Sequence, residues 1–245
     1  MLIIGAGGYA KELLEIFHQK GIAEHLAFYD DVNTESGPLL YNRFPILKNE
    51  AEVKKFFTTH GCEFTIGIGN PGLRNKMYNK FTALNGIFTS VISSKACIGS
   101  FEVKIGEGCN ILDGATFSNS SEAGMGCIAY YNSIITHDCK LGNFVQLSPG
   151  ATILGGAVIN DFALIGSNAT ILAKLNIGKS AFIAAGALIT KSVPDYTLMV
   201  GNPARRAGWI SEYGDKLVFN DMGVATCKIS LDKYHLENEN VKKLS

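Results

Sequence analysis

The hydrophobic pattern of this chain is dominated by a period of six residues. Between positions 105 and 189 every sixth residue is apolar, and the fourth residue after most of them is small. The apolar positions are Ile105, Ile111, Phe117, Ala123, Ala129, Ile135, Leu141, Leu147, Ile153, Ile159, Ile165, Ile171, Ile177, Ile183 and Ile189. This period is typical of the hexapeptide repeat of a parallel β-helix, whose apolar side chains point into a narrow core.

A second period lies inside the first. The residue after every third apolar position is Gly106, Gly124, Gly142, Asn160 or Gly178. Because glycine and asparagine tolerate a positive φ, we expect these positions to form one corner of each coil. Three hexads per coil predict three flat walls and therefore a triangular prism.

The first ninety residues follow a different pattern, in which short apolar runs are separated by helical periodicity. The apolar runs lie at residues 2–4, 26–29 and 64–68. They predict a small Rossmann-like βαβ domain over residues 1–90, followed by the β-helix over residues 91–207. The open end of a β-helix exposes apolar core, so we expect residues 208–245 to form a C-terminal cap. The predicted fold class is therefore α/β plus β.

Each predicted strand of the N-terminal domain ends in glycines or acids. Residues 5–9 (GAGGY) follow the first strand and open a helix, where backbone N–H groups can hold a phosphate. Asp30 and Asp31 end the second strand, where carboxylates can accept hydrogen bonds from a ribose or base. Residues 67–69 (GIG) end the third strand. These strand ends predict a nucleotide site. A complete dinucleotide site looks large for ninety residues, so NAD is the alternative ligand.

The charge balance argues against nucleic acid as a partner. Lysine plus arginine equals aspartate plus glutamate at 22 each, so the chain has no bulk positive field. No stretch approaches the roughly 20 consecutive apolar residues of a membrane span, and Met1 is not followed by the basic start of a signal peptide. We therefore expect no membrane span and a cytoplasmic location.

Neither disulfides nor a metal site are predicted. The six cysteines contain no CxxC pair, and Cys109, Cys127 and Cys139 occupy the small-residue position of the repeat, where a thiol is a compact apolar filler. Only one of the five histidines lies in the repeat. The three-histidine zinc site of the γ-class carbonic anhydrases, which also use a β-helix, is therefore not expected.

That histidine is the candidate general base. His137 comes two residues after the inward Ile135, so its side chain should point outward. Asp138 follows it directly, and Asn132 and Gln146 lie five and nine residues away, which predicts a polar cluster. An imidazole is a natural general base near neutral pH, and a neighbouring carboxylate can orient it. Cys139 is a poor candidate nucleophile because its position in the repeat turns it inward.

Several segments together resemble a known family. These are GAGGYAKE, the Asp-Asp strand end, IGIGNPGLR, NSIITHDCKLGNFVQLSPGA and GNPAR. They resemble the acetyltransferases of nucleotide-linked amino sugars, most closely the bacterial UDP-4-amino-sugar N-acetyltransferases, with the sialic acid O-acetyltransferases as near relatives. The resemblance covers residues 1 to about 207. It implies a Rossmann-like domain before a left-handed β-helix, assembled as a homotrimer with acetyl-CoA between adjacent prisms.

The resemblance also implies roles for single residues. His137 would be the general base, with Asp138 tuning it. The residues expected to contact the nucleotide sugar are Gly7, Gly8, Tyr9, Asp30, Asp31, Gly69 and, in the polar cluster, Asn132. Acetyl-CoA would run past Gln146, Ser167 and Ala185. The family commonly has a histidine where this chain has Gln146, and a glutamine can donate a hydrogen bond but cannot transfer a proton at neutral pH.

The resulting functional prediction is acetyl transfer from acetyl-CoA to the amine of a UDP- or dTDP-linked amino-deoxy sugar, without a covalent acyl-enzyme. The tail segments GWISEYGDKL and CKISLDKYHLENENVKKL resemble those of 3-amino-sugar N-acetyltransferases, so the sugar carbon that bears the amine stays open. Two alternatives keep the same fold. One is sugar O-acetylation of the sialic acid type, and the other is a non-catalytic β-helix scaffold that binds a nucleotide.

Overall fold

The computed structural model describes residues 1–33 and 37–244. Its N-terminal part is a sheet of six strands in the order β3-β4-β2-β1-β5-β6, in which β3 is antiparallel to β4 and the other pairs are parallel. Its elements are β1 (Leu2–Ile4), α1 (Gly8–Gln19), β2 (Ala27–Tyr29), β3 (Leu39–Leu40), β4 (Phe44–Leu47), α2 (Glu50–His60), β5 (Glu63–Ile66), α3 (Pro71–Thr82) and β6 (Ile87–Phe88).

Helix α1 packs unusually close to the loop that follows β5. A Cβ atom built on Gly67 would lie 2.7 Å from the Cβ of Ala10, so only glycine fits at this point. The close packing fixes the start of α1 against the carboxyl end of the sheet.

The rest of the fold is a left-handed parallel β-helix, as predicted. Its strands are β7 (Val91–Ile92), β8 (Cys97–Ile98), β9 (Lys104–Ile105), β10 (Asn110–Ile111), β11 (Thr116–Phe117), β12 (Glu122–Ala123), β13 (Ile128–Ala129), β14 (Ile134–Ile135), β15 (Lys140–Leu141), β16 (Gln146–Leu147), β17 (Thr152–Ile153), β18 (Val158–Ile159), β19 (Leu164–Ile165), β20 (Thr170–Ile171), β21 (Asn176–Ile177), β22 (Phe182–Ile183) and β23 (Leu188–Ile189). From β9 to β20 each strand pairs with the strand 18 residues further along, for example Ile134 with Thr152.

The strands form three walls. Wall 1 consists of β7, β10, β13, β16, β19 and β22, wall 2 of β8, β11, β14, β17, β20 and β23, and wall 3 of β9, β12, β15, β18 and β21. The second residue of each strand points inward, and from Ile111 onward these side chains are buried together with the small residues of the repeat. The three cysteines Cys109, Cys127 and Cys139 are buried in this core as free thiols.

The repeated glycines begin the corner between walls 3 and 1 of each coil, as predicted, but the positive φ expected of them is wrong. Gly106, Gly124 and Gly142 do not have a positive φ, which occurs instead two residues later, at Gly108, Gly126 and Phe144 in the same coils. The glycines are needed because successive coils approach closely. A Cβ atom on Gly106 would lie 2.7 Å from the carbonyl carbon of Gly124, and one on Gly124 would lie equally close to that of Gly142.

Wall 1 is covered by the N-terminal domain. The hydroxyl of Thr65 donates to the Oδ1 of Asn110 over 2.9 Å, and the Nδ2 of Asn110 donates to the carbonyl of Ile66 over 3.0 Å. Ile128 packs into the same apolar cluster as α1. The carboxyl end of β5 is therefore fixed to the β-helix by buried polar contacts.

The C-terminal part contains β24 (Thr197–Val200), β25 (Arg205–Ile210), β26 (Lys216–Leu217), β27 (Val224–Thr226), β28 (Lys233–Glu237) and β29 (Asn240–Lys243). Strands β24, β25 and β26 extend wall 1, so the predicted domain boundary at residue 207 falls inside β25. Trp209 and Tyr234 pack with Tyr196 of the last coil in one apolar cluster. The Nδ2 of Asn70 donates to the carbonyl of Tyr213 over 3.0 Å, so the tail also contacts the start of α3. Within residues 1–33 and 37–244, no helix is long and apolar enough to cross a membrane.

Candidate active site

A cavity of about 650 Å³ lies at the carboxyl ends of β1, β2 and β5. It brings together all six residues of the N-terminal domain that the sequence predicted to contact a nucleotide. These residues are Gly7, Gly8, Tyr9, Asp30, Asp31 and Gly69. The carboxyl edge of a parallel sheet is where open α/β folds bind their ligands.

The start of α1 faces this cavity with its backbone uncovered. Gly7 is the N-cap, with an extended backbone and no side-chain hydrogen bond to the first turn. Cβ atoms built on Gly7 and Gly8 would meet no atom within 4 Å in residues 1–33 and 37–244. The first N–H groups of a helix have no partner within the helix and carry a partial positive charge, so this end of α1 suits a phosphate group.

The two acids in the cavity differ in their partners. One carboxylate oxygen of Asp30 accepts from the backbone N–H groups of Val32 and Asn33, at 3.2 and 2.9 Å, which holds the turn after β2. Asp31 accepts from the hydroxyl of Tyr29 at 2.7 Å and from the Nζ of Lys80 at 3.1 Å. Burial raises the pKa of Asp31, but the hydrogen bonds from Tyr29 and Lys80 outweigh it and hold the pKa below its usual range. Asp31 is therefore ionised and paired at neutral pH.

Two lysines of α3 line the cavity and were not predicted. Lys76 and Lys80 are four residues apart, so they lie on the same face of α3. Burial lowers the pKa of Lys80, but its hydrogen bonds to Tyr29 and Asp31 outweigh it and raise the pKa above its usual range. Their four-residue spacing, in the helix that follows the glycine turn at residues 67–69, is the sequence signal that could have identified them.

Tyr9 lies at the base of the cavity and is buried. Its ring packs against Tyr130 of β-helix wall 1, with 4.9 Å between ring centroids. Burial raises the pKa of its hydroxyl well above the usual range, so Tyr9 stays protonated. It provides an apolar floor and a junction between the domains.

Gln146 lies on wall 1 beside the glycine turn of the cavity, where Arg74 holds it. No role was predicted for this arginine from the sequence. Arg74 is fully buried, and its Nη1 donates to the carbonyl of Gly69 and, over 3.2 Å, to the Oε1 of Gln146. Its Nη2 donates to the carbonyl of Phe144. Within the described residues no carboxylate lies within 4.0 Å of this guanidinium, and burial lowers its pKa to about 10. The buried cation is stabilised by carbonyl oxygens alone.

His137 lies at the corner between walls 2 and 3, after β14. As predicted, its side chain points outward and is 68% exposed. Its Nδ1 lies 2.8 Å from the Oδ2 of Asp138. Asp138 has a φ of 60°, and its backbone N–H donates to the carbonyl of Asn119 in the preceding coil. The corner geometry therefore points the carboxylate back at the ring and leaves Nε2 as the outward nitrogen.

The predicted polar cluster does not form within one chain. Asn132 lies at the corner between walls 1 and 2, where it adopts a φ of 56°, and Gln146 lies on wall 1. The reason is that each hexad turns the chain to the next wall, so residues five or nine positions from His137 lie on different walls. The Oδ1 of Asn132 would be 2.2 Å from a Cβ on Gly114, so this amide fills the space that the glycine leaves.

Of the three residues predicted to bind the cofactor, Ser167 and Ala185 lie together and Gln146 lies apart from them. Ser167 and Ala185 are stacked at the corner between walls 1 and 2, where the carbonyl of Ser167 accepts from the N–H of Gly186 over 2.8 Å. Their small side chains leave the backbone accessible along this corner. Gln146 lies on the wall beside it.

A second polar cavity, of about 690 Å³, lies at the C-terminal end of the β-helix. Lys191, Arg205 and Arg206 line it. Arg206 is paired with Glu239 at 2.9 Å and lies 4.7 Å from the ring centroid of Trp209. Three cations around one cavity suit phosphate groups, because guanidinium and ammonium groups form charge-assisted hydrogen bonds to them.

Among the residues described, no three metal-ligating side chains come together.

Comparison with known proteins agrees with this geometry. Residues 1–81 match the PglD N-terminal domain family. The GDP-perosamine N-acetyltransferase of Escherichia coli O157:H7 is 32% identical over 213 residues, which cover 83% of this chain and 94% of that protein.

The chain belongs to the nucleotide-linked amino-sugar N-acetyltransferases of the hexapeptide-repeat class.

Solved structures of similar proteins place two ligands in this fold. PerB from Caulobacter crescentus, in complex with CoA and GDP-perosamine, aligns with a TM-score of 0.77 and 26% identity, covering 84% of this chain and 96% of that one. The acetyltransferase domain of PglB from Neisseria gonorrhoeae FA1090, in complex with acetyl coenzyme A, aligns with a TM-score of 0.75 and 28% identity, covering 84% and 97%. The predictions of the family, of an acyltransferase and of acetyl-CoA as the donor are confirmed.

Proposed function

We propose that this N-acetyltransferase acetylates the amine of an amino-deoxy sugar whose nucleotide lies in the cavity at the carboxyl edge of the N-terminal sheet, with His137 as the general base. The observation that carries the proposal is that one cavity collects the uncapped start of α1, Asp31 and Lys80. The α1 terminus supplies N–H donors for a diphosphate, Lys76 and Lys80 supply positive charge, and Asp30 and Asp31 supply acceptors for ribose or base.

His137 and Asp138 would perform the proton transfer. The neutral sugar amine would attack the thioester carbonyl carbon of acetyl-CoA, so that a C–N bond forms as the C–S bond breaks. CoA would leave as the thiolate, which can take the proton that the imidazole has received from the amine. Because Asp138 occupies the Nδ1 side of the ring, Nε2 is the nitrogen that takes the proton from the amine. Asp138 keeps the imidazole in the tautomer that leaves Nε2 unprotonated, and it stabilises the imidazolium that forms.

The small residues Ser167 and Ala185 would let the pantetheine approach the backbone, while Lys191, Arg205 and Arg206 would hold the phosphates of CoA. Gln146 contributes a hydrogen-bond donor, because its Oε1 is already used by Arg74. Asn132 forms part of the same corner as Ser167 and contacts the substrate from there.

We further propose a homotrimer whose active sites lie between copies. The corner between walls 2 and 3, which carries His137, is opposite wall 1, which is covered by the N-terminal domain that contains the nucleotide cavity. A sugar in that cavity therefore requires His137 from a neighbouring copy. Wall 2 suits the contact because its outward residues are uncharged, whereas wall 3 carries Lys104, Glu122 and Lys140. The outward residues of wall 2 are Cys97, Thr116, Ile134, Thr152, Thr170 and Leu188.

The assembly can be tested with two matched surface charges. Thr152→Arg places a charge on wall 2, and Val158→Arg places the same charge on wall 3 of the next strand. Sedimentation should show Thr152→Arg falling from three times 26.3 kDa toward 26.3 kDa and losing activity, while Val158→Arg stays trimeric and active. A trimer that tolerates Thr152→Arg, or an active monomer, would contradict the shared site.

A separate question is which base the bound nucleotide carries. The sequence prediction is UDP or dTDP, and the relative from Escherichia coli O157:H7 adds GDP, since that enzyme is named for GDP-perosamine. The test incubates the full chain and acetyl-CoA with UDP-, dTDP- and GDP-linked 3-amino and 4-amino sugars, and with sialic acid as a hydroxyl acceptor. Mass spectrometry should show one acetyl group added to a nucleotide amino sugar. Acetylation of sialic acid alone, or of none of the panel, would overturn the proposal.

A further inference from the structure

Gly155 lies directly beneath the imidazole of His137. A Cβ atom built on Gly155 would be 2.5 Å from Cε1, 2.7 Å from Nε2 and 3.2 Å from Nδ1 of that ring. These are the three nearest atoms, so the histidine ring is the group that an added side chain would meet first. The face of the histidine ring therefore rests on the bare Cα of the next coil.

The backbone itself does not require glycine at this position. Residues 119, 137, 155 and 173 are equivalent in successive coils, and they are Asn119, His137, Gly155 and Ala173. The φ of Gly155 lies outside the left-handed region, whereas Gly156 has a φ of 69°. The backbone at position 155 thus permits a side chain, and the nearest group in its way is the histidine ring.

Few other contacts hold this imidazole. Its side chain is 68% exposed, and its one hydrogen bond among the described residues is to Asp138 at 2.8 Å. The Asp138 contact fixes one edge of the ring but permits a tilt about that edge. The flat space above Gly155 sets the remaining angle.

We propose that Gly155 is a positioning residue, whose missing side chain seats the His137 ring where Nδ1 meets Asp138 and Nε2 meets the substrate amine. The inference rests on the proposed role of His137 as the base. A methyl group at position 155 would push the ring away by about 1 Å to restore ordinary contact distances of roughly 3.5 Å. A displacement of that size at a reacting group costs on the order of a hundredfold in rate.

The test compares Gly155→Ala, His137→Ala, the double variant and Gly37→Ala. Gly37 is a matched control because it is exposed and an added Cβ would meet no atom of the described residues within 4 Å. We expect Gly155→Ala to lower kcat about a hundredfold while both KM values and Tm stay unchanged. The double variant should be no slower than His137→Ala, because the glycine acts only through the ring. Gly37→Ala should match the wild type.

The outcomes separate the two proposals. If His137→Ala is nearly as active as the wild type, the base assignment fails and the role of Gly155 fails with it. If His137→Ala is inactive and Gly155→Ala is as fast as the wild type, only the positioning role is wrong. If the two substitutions multiply in the double variant, or Gly155→Ala lowers Tm to the same extent with and without His137, Gly155 acts on the coil and not on the histidine.

Discussion

The guanidinium of Arg74 donates a hydrogen bond to the side-chain oxygen of Gln146 over 3.2 Å. This contact crosses from α3 to wall 1 and fixes the direction of the amide, so that its NH₂ group faces away from Arg74. The same guanidinium holds the carbonyl of Gly69 in the nucleotide cavity. One buried side chain therefore connects the turn at residues 67–69 to the wall that carries Gln146.

Replacing Gln146 with glutamate should raise the thermal stability of the protein and lower its activity. In Gln146→Glu a carboxylate faces a buried cation that has only carbonyl partners, and such a charge-assisted bond is worth about 1.5–3 kcal/mol. The variant should melt at a higher temperature but lose the amide donors, with kcat/KM for acetyl-CoA at least about tenfold lower. Thermal denaturation and steady-state kinetics check this. Arg74→Met is the control background, in which the stabilisation should disappear; a gain in Tm that persists there would contradict the pairing.

Two glycines of the cavity should respond differently to the same methyl group. Gly67→Ala forces α1 away from the sheet, since its Cβ would lie 2.7 Å from that of Ala10, and overpacking of this kind costs about 1–3 kcal/mol. Gly7→Ala meets no atom within 4 Å, so its free energy of unfolding should stay within about 0.5 kcal/mol of the wild type. Its KM for the nucleotide sugar should rise, because the methyl occupies the approach to the α1 terminus. Denaturant titration and KM measurements distinguish the two variants. An unchanged KM in Gly7→Ala would mean that the phosphate does not bind at the start of α1.

The C-terminal tail, residues 208–244, should lose stability at low pH. Burial raises the pKa of Glu212, but the hydrogen bonds and charges of Lys243 and Lys179 outweigh it and hold the pKa below its usual range. The hydrogen bond from Lys243 likewise lowers the pKa of Asp232. Because both folded-state pKa values are depressed, the two carboxylates stabilise the tail above about pH 4.5 and lose that contribution as pH falls through the folded values.

Trp209 is the single tryptophan and packs in the tail, so its fluorescence reports this loss. Emission should be constant from pH 7 to about 5 and change below about pH 4. Lys243→Met should weaken the tail at pH 7 by roughly 1–3 kcal/mol and flatten the acid transition. A transition of equal size and midpoint in Lys243→Met would mean that other groups drive it.

The β-helix could be predicted because the repeat encodes both burial and register. Ile135 and Ile153 are apolar for the same reason, and their spacing alone determines that they stack in adjacent coils. The strand-end residues Gly7, Asp31 and Gly69 were also predictable as a group, because parallel strands of one sheet end at one edge.

Other features of the site depend on long-range packing, which no local sequence pattern predicts. Arg74 reads in the sequence as an ordinary surface residue of α3, and it becomes buried only because α3 packs on wall 1. In the sequence, Gly155 and Gly156 look like an ordinary Gly-Gly turn. In the structure, the space beside Gly155 is occupied by the ring of His137, which lies 18 residues earlier in the chain. Asn132 and Gln146 are close to His137 in sequence but lie on other walls, because proximity along a coil is not proximity in space.

The most direct test of His137 as the general base is the turnover of His137→Ala with acetyl-CoA and the nucleotide amino sugar that the wild type acetylates. His18→Ala, an exposed histidine at the end of α1, is the matched control. Provided that sedimentation shows both variants assembling like the wild type, kcat of His137→Ala should fall by about a hundred- to ten-thousandfold, while that of His18→Ala stays unchanged. A correctly assembled His137→Ala enzyme with near wild-type turnover would contradict the assignment of His137 as the general base.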